Sequence, residues 1–175
     1  MGFVTEEIAA LVGVPGPRFT ALGPLGADEL RRFTQAVMEP NPVHWDEQAA
    51  RASRYGAVVA SPLYVLHAFR RAPGTPDPLD RLGVERDWDG LDVAAGFGGL
   101  PPVEIPLKRV LNGGTEAEFF RLARLGDVIS AQARYVEIVD REGRTGPMVL
   151  ATIETVYENQ DGEQLARVRS TVIFR

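Results

Sequence analysis

Three long alternating runs close the chain, at residues 128–139, 148–158 and 164–174, and they constrain the fold more than any other feature. Ile153, Thr155 and Tyr157, then Val168, Ser170, Val172 and Phe174, put every second side chain on one face, which is the period of a strand. Two shorter runs, 103–111 and 115–121, precede them. The separators are turn formers: Asn112-Gly113-Gly114, Gly126-Asp127, Asp140-Arg141-Glu142-Gly143 and Asn159-Gln160-Asp161-Gly162. Connections that short can only join antiparallel neighbours, because a parallel pair needs a crossover of a dozen or more residues.

The first half carries the helical period instead. Thr5 is placed to cap a short helix to Val12, which Gly13 and Pro15 end, and a loop is expected from there to Gly26. Residues 27–38 read as an amphipathic helix with Leu30, Phe33 and Val37 inward. Asp46 suits the N-cap of another short helix that stops at Tyr55-Gly56. Ser61-Pro62 then opens the most apolar helical stretch, in which Leu63, Tyr64, Val65, Leu66, Ala68 and Phe69 leave hardly any polar face before Arg70. A long irregular region is expected over 73–99, and its Gly96-Phe97-Gly98-Gly99 lacks the setting of a phosphate loop.

A strongly curved sheet needs its inner face covered, and a helix apolar on all sides needs wrapping. The expected class is therefore α+β, a hot-dog fold with a curved antiparallel sheet around a central buried helix. At 175 residues, 45% apolar and 25% charged, the chain suits one globular domain over 1–175. A net charge of −5, with no basic run, argues against nucleic acid. The absence of cysteine excludes disulfides and thiolate metal sites, and no apolar run reaches the roughly twenty residues of a membrane span. A cytoplasmic location, with no membrane association, is the expectation.

Chemistry concentrates in Met38-Glu39-Pro40-Asn41-Pro42-Val43-His44-Trp45-Asp46. Prolines at 40 and 42 forbid a continuous helix, so Glu39 and His44 are free to converge across a break rather than point to different sides. A carboxylate and an imidazole so placed form a candidate acid/base pair. Asp46 is better explained as a helix cap than as a metal ligand, and no metal is expected. His67 reads as a core or interface residue. Arg121 and Arg124 are candidates for phosphate contacts or for plain solvation.

Glu39-Pro40-Asn41-Pro42-Val43-His44-Trp45-Asp46, with Ala52 and Tyr55-Gly56 downstream, resembles the signature of the MaoC-like acyl dehydratases and R-specific enoyl-CoA hydratases. The second half, notably Arg109-Val110-Leu111-Asn112-Gly113-Gly114 and Leu125-Gly126-Asp127, is similar to the fatty-acid-synthase-type dehydratase N-terminal branch. Two positions depart from that family: Glu39 stands where its members carry aspartate, and Met38 where they usually carry glycine. The resemblance implies a hydratase or dehydratase that interconverts 2-enoyl and 3-hydroxyacyl thioesters of coenzyme A or an acyl carrier protein. Its catalytic residues would be Glu39 and His44, with Asn41, Tyr55, Gly56 and Ser61 at the substrate. Backbone donors after Ser61 would receive the thioester oxygen. No cofactor is implied beyond the coenzyme A of the substrate. The partner would be a second hot-dog subunit, in a homodimer or a heterodimer. Two other readings stand beside this one: a non-catalytic subunit of a heteromeric hydratase, and a hot-dog thioesterase.

Overall fold

The alternation of the last third becomes three long strands, β3 (Ser130–Gly143), β4 (Gly146–Glu158) and β5 (Gln164–Phe174), each antiparallel to the next. Two edge strands flank them, β1 (Pro15–Thr20) on β3 and β2 (Val110–Phe119) on β5, in the order β1-β3-β4-β5-β2. The computed structural model describes residues 2–85, 87–88, 98–144 and 146–175. Among the described residues helices are few and short: α1 (Glu6–Ala9), α2 (Ala27–Ala36), α3 (Glu47–Ala52), and 3-10 helices at Pro42–His44, Pro62–His67 and Pro78–Gly83. Thr5 and Asp46 cap α1 and α3 as their sequence positions require, accepting from the backbone N–H of Ile8 and Ala49. This is the α+β hot-dog architecture.

Several expectations need correction. The segment read as a loop after Gly13 contains β1, whose two prolines are tolerable because it pairs on one side only. Asn112-Gly113-Gly114 is not a turn but a bulge inside β2, with Gly114 at φ +118° and a Cβ on Gly113 falling 2.9 Å from the Thr171 side chain. Residues 103–109 lie outside any strand and instead lay Val103, Ile105 and Leu107 against the core. β3 runs on through Gly143, which pairs with Gly146, so the hairpin turn lies beyond the expected one. Within the irregular region, Pro78–Gly83 winds into a 3-10 helix; 89–97, with Gly96 and Phe97, lie outside the described residues.

The apolar stretch after Ser61 sits on the inner face of the sheet, but as six residues of 3-10 helix rather than a longer α-helix. Tyr64, Val65 and Ala68 are buried there with Leu30 of α2, Ile129, Leu165 and Ala166. Leu63, by contrast, is 53% exposed, so the stretch is not covered all round. His67 is exposed too, its ring tilted against Phe33 at 5.2 Å. A second cluster, built on Ile8, Leu100, Val103, Tyr135, Val149 and Phe174, fills the other end.

On the opposite face β4 presents Glu154, only 3% exposed, in register with Arg134 on β3 and Arg169 on β5. Arg134 donates to Oε1 at 2.7 Å and Arg169 to Oε2 at 2.9 Å, so both carboxylate oxygens are held. Desolvation alone would raise the pKa of this group, but the two guanidiniums outweigh it and hold the carboxyl below its ordinary value. A depressed folded-state value means the ion pairs contribute their full stability above the unfolded pKa, near 4.5, and lose it as pH falls through the folded one. Glu154→Gln is expected to cost about 1–3 kcal/mol at pH 7, the half-exposed arginines keeping their own hydration. In urea titrations the gap between wild type and variant should shrink below about pH 4.5; a gap constant from pH 7 to 3 contradicts this account.

Candidate active site

Helix α2 ends in a Schellman motif. The N–H of Met38 bonds to the carbonyl of Gln35 and the N–H of Glu39 to that of Thr34, at 3.2 and 3.0 Å. The motif needs a left-handed residue at Met38, which takes φ +52° and is the one non-glycine with positive φ among the described residues. Its side chain is 85% exposed, so it gains little contact for the strain. Met38→Gly is therefore expected to stabilise the chain by about 1 kcal/mol in thermal or urea unfolding, and a destabilised variant contradicts the motif.

Glu39 emerges from this cap half-buried, its Oε1 accepting the backbone N–H of Asn41 at 3.1 Å. Asn41 in turn caps the 3-10 helix Pro42–His44 by accepting from the N–H of Val43. One turn later His44 is buried, with Nδ1 2.9 Å from the carbonyl oxygen of Val59. A carbonyl can only accept, so Nδ1 carries the proton and Nε2 is the nitrogen left to react. The tether is itself anchored: Val59 bridges to Arg124, and Ala60 donates to the carbonyl of Ala123 at 2.8 Å.

His44 lines an open cleft of about 610 Å3 together with Asn41, Arg54, Tyr55, Val59 and Pro62, and with residues 119–122 and 124. Its lining combines apolar Val59, Pro62, Phe119, Phe120 and Leu122 with Arg54, Arg121 and Arg124. Glu39 does not line it. Its carboxylate belongs to an adjoining recess of about 370 Å3 with Arg31, Thr34, Gln35, Met38 and Trp45.

Of the residues singled out in sequence, His44, Asn41 and Tyr55 thus share one cleft, and Glu39 stands in the next recess. Ser61 is buried at the start of Pro62–His67 without making a capping bond, and Gly56 turns the chain at φ +69°; neither lines the cleft. The expected oxyanion site after Ser61 is not carried forward, since six residues of 3-10 helix have too few aligned peptides to concentrate charge and Pro62 has no N–H to offer. Sequence reasoning missed Arg54, Phe119 and Phe120. The exposed aromatic pair at the end of β2 is the signal that points to them.

A hot-dog sheet with a cleft lined by His44 is the setting, and comparison with known proteins supplies the family. The FAS1-like dehydratase domain region matches residues 19–168, and the chain belongs to that family. A UPF0336 protein of Saccharopolyspora erythraea is 27% identical over 151 residues, 86% of this chain and 81% of that protein. A probable enoyl-CoA hydratase alpha subunit of Thermomonospora curvata is 30% identical over 150 residues, 83% of this chain but only 43% of its own length. Among solved structures, the ChsH1-ChsH2 complex of Mycobacterium tuberculosis superposes with a TM-score of 0.66 at 21% identity, over 91% of this chain and 83% of that one. The R-hydratase PhaJ1 of Pseudomonas aeruginosa does so with a TM-score of 0.57 at 17% identity, over 93% and 81%. These structural likenesses speak for the fold.

Proposed function

We propose that the chain is the acid/base-bearing subunit of a hydratase that interconverts 2-enoyl and 3-hydroxyacyl thioesters. The observation that carries this reading is His44, buried, fixed through Nδ1 on the Val59 carbonyl and lining a cleft large enough for a thioester. Hydration breaks one O–H bond of water, forms C3–O and C2–H, and opens the C2=C3 double bond. His44 Nε2 takes a proton from water as its oxygen adds to C3 and passes a proton on to C2. Glu39, whose Oε2 is free of the Asn41 contact, has to turn from its own recess into the cleft to share that transfer as the second acid/base group. Asn41 and Tyr55 border the substrate, while Ser61 and Gly56 shape the entry to the segment behind it. The chemistry asks for no metal or redox group.

A second reading, a subunit that completes another chain's catalytic centre, is favoured by one observation. Glu39 and His44 line different recesses, and the Glu39 carboxylate is engaged within its own turn. A second hot-dog subunit, a copy of this chain or a relative, is the partner under either reading. The test is loss of enoyl absorbance when crotonyl-CoA and longer 2-enoyl-CoAs meet the chain alone and co-expressed with candidate partners. Turnover that depends on His44 supports the first reading. Turnover only with a partner, and indifferent to His44, replaces it with the second.

A further inference from the structure

We propose that Asp127 is a positioning residue for His44: it fixes segment 123–124, which fixes the Val59 carbonyl on which the imidazole is held. For its effect on turnover this rests on the hydratase reading; for its hold on His44 it does not.

The argument follows backbone hydrogen bonds. Val59 faces Val43 and His44 on one side, donating its N–H to the Val43 carbonyl at 3.5 Å and accepting His44 Nδ1–H on its own carbonyl at 2.9 Å. Its other side faces segment 123–124 through the antiparallel bridge between Val59 and Arg124. The bond across that bridge runs from the Ala60 N–H to the Ala123 carbonyl, at 2.8 Å. Where an antiparallel pair is bonded through its flanking residues, the paired residues turn their own N–H and C=O away from each other. That leaves the Val59 carbonyl for His44. It also leaves both backbone groups of Arg124 pointing off the far side.

Asp127 takes both. Its own N–H donates to the Arg124 carbonyl at 3.0 Å, and its Oδ2 accepts the Arg124 N–H at 2.7 Å. A peptide N–H on a carboxylate is a charge-assisted bond, stronger than the neutral kind. Gly126 between them takes φ +90°, which lets the chain reverse and bring residue 127 back over 124. The turn is seated on the core, since Gly126 donates to the Leu25 carbonyl at 3.0 Å, Leu25 donates to that of Asp127 at 2.8 Å, and Leu25 is 4% exposed. Three short segments thus lie side by side, 43–44, 59–60 and 123–124, and Asp127 locks the outermost. Asp127 does not line the His44 cleft, so its effect there passes through the backbone. Without the carboxylate, water can satisfy the Arg124 N–H but cannot hold it in place, and the Val59 carbonyl follows. A reacting group displaced by about 1 Å loses on the order of a hundredfold in rate.

The test reads the His44 Nδ1 proton through its exchange with solvent, in nitrogen-edited NMR of the full chain. The chain has two histidines, so a His67→Asn background leaves one signal. Asp127→Ala is expected to speed that exchange at least about tenfold, the effect of losing roughly one hydrogen bond of local stability. Asp127→Asn keeps an oxygen for the Arg124 N–H and should stay within about threefold of the wild type. Asp140→Ala removes the same kind of bond from the N–H groups of Phe3 and Val4, beside the other core cluster, and should change nothing at His44. Exchange in Asp127→Ala within about twofold of the wild type overturns the proposal. Equal loosening by Asp140→Ala or Asp127→Asn, or a wild-type Nδ1 proton too labile to detect, does so as well. Where Asp127→Ala does not fold, Asp127→Glu, whose carboxylate lies one methylene further out, replaces it under the same criteria. With crotonyl-CoA, Asp127→Ala should lower kcat about ten- to a hundredfold and leave KM within about threefold, because the displaced group handles the proton. Turnover that depends on His44 while its exchange ignores Asp127 removes the positioning role and keeps the hydratase reading. Faster exchange in a chain that hydrates no enoyl thioester in any assembly keeps the positioning role and removes that reading.

Discussion

Hydration of crotonyl-CoA is expected to fall by about a hundred- to ten-thousandfold when His44 becomes alanine, the range a positioned acid/base side chain contributes. Nδ1 is committed to Val59, so Nε2 is the nitrogen of this ring left to move a proton. Glu39→Gln should lower kcat as well, by about a hundredfold or less, because amide for carboxylate keeps the Asn41 contact but cannot move a proton. Thermal unfolding separates these losses from misfolding, since Glu39→Gln replaces a half-buried group by one of equal size. If a heteromer keeps full turnover with both replacements, the chemistry belongs to the other subunit.

Phe174→Ala is expected to cost about 3–5 kcal/mol, against a total stability of roughly 5–15 kcal/mol for a domain of this kind. Phe174 is 1% exposed and stands in register with Val149 on β4 and Val110 on β2, so it is the point where the last strand closes the core between both neighbours. Its loss opens a cavity among Val103, Tyr135, Val149 and Val172, and Tyr135 is fixed there by its hydroxyl bond to the Pro101 carbonyl oxygen. A urea midpoint corresponding to less than about 1 kcal/mol would mean that this end of the sheet collapses around the gap.

How far the molecule was legible in sequence follows from how local each signal is. β5 runs over Gln164–Phe174, as its alternation reads, and Thr5 and Asp46 cap their helices, because strand period and cap chemistry are written within a few residues. The bulge at Gly113 and Gly114 was read as a turn because glycine pairs serve both; only the partner strand, with Thr171 crowding Gly113, decides between them. β1 was hidden by its prolines, which matter less on a strand with one neighbour.

The site shows the same division. The proline break is real, and it fixes His44 through a bond to Val59, 15 residues on, that no local pattern encodes. The break also turns Glu39 into a neighbouring recess rather than across from His44, since the Schellman cap at Met38 and the Asn41 N–H set the carboxylate's direction before His44 is reached. Arg54, Phe119 and Phe120 entered through the Val59 to Arg124 bridge, a contact between segments 65 residues apart.

The most direct measurement is nitrogen NMR of the His44 imidazole, separated from His67 by a His67→Asn variant, with and without 3-hydroxybutyryl-CoA. The account predicts a proton on Nδ1, donated to the Val59 carbonyl, with Nε2 shifting on addition of the thioester. A ring protonated on Nε2, or an Nε2 resonance that ignores the ligand, would contradict it.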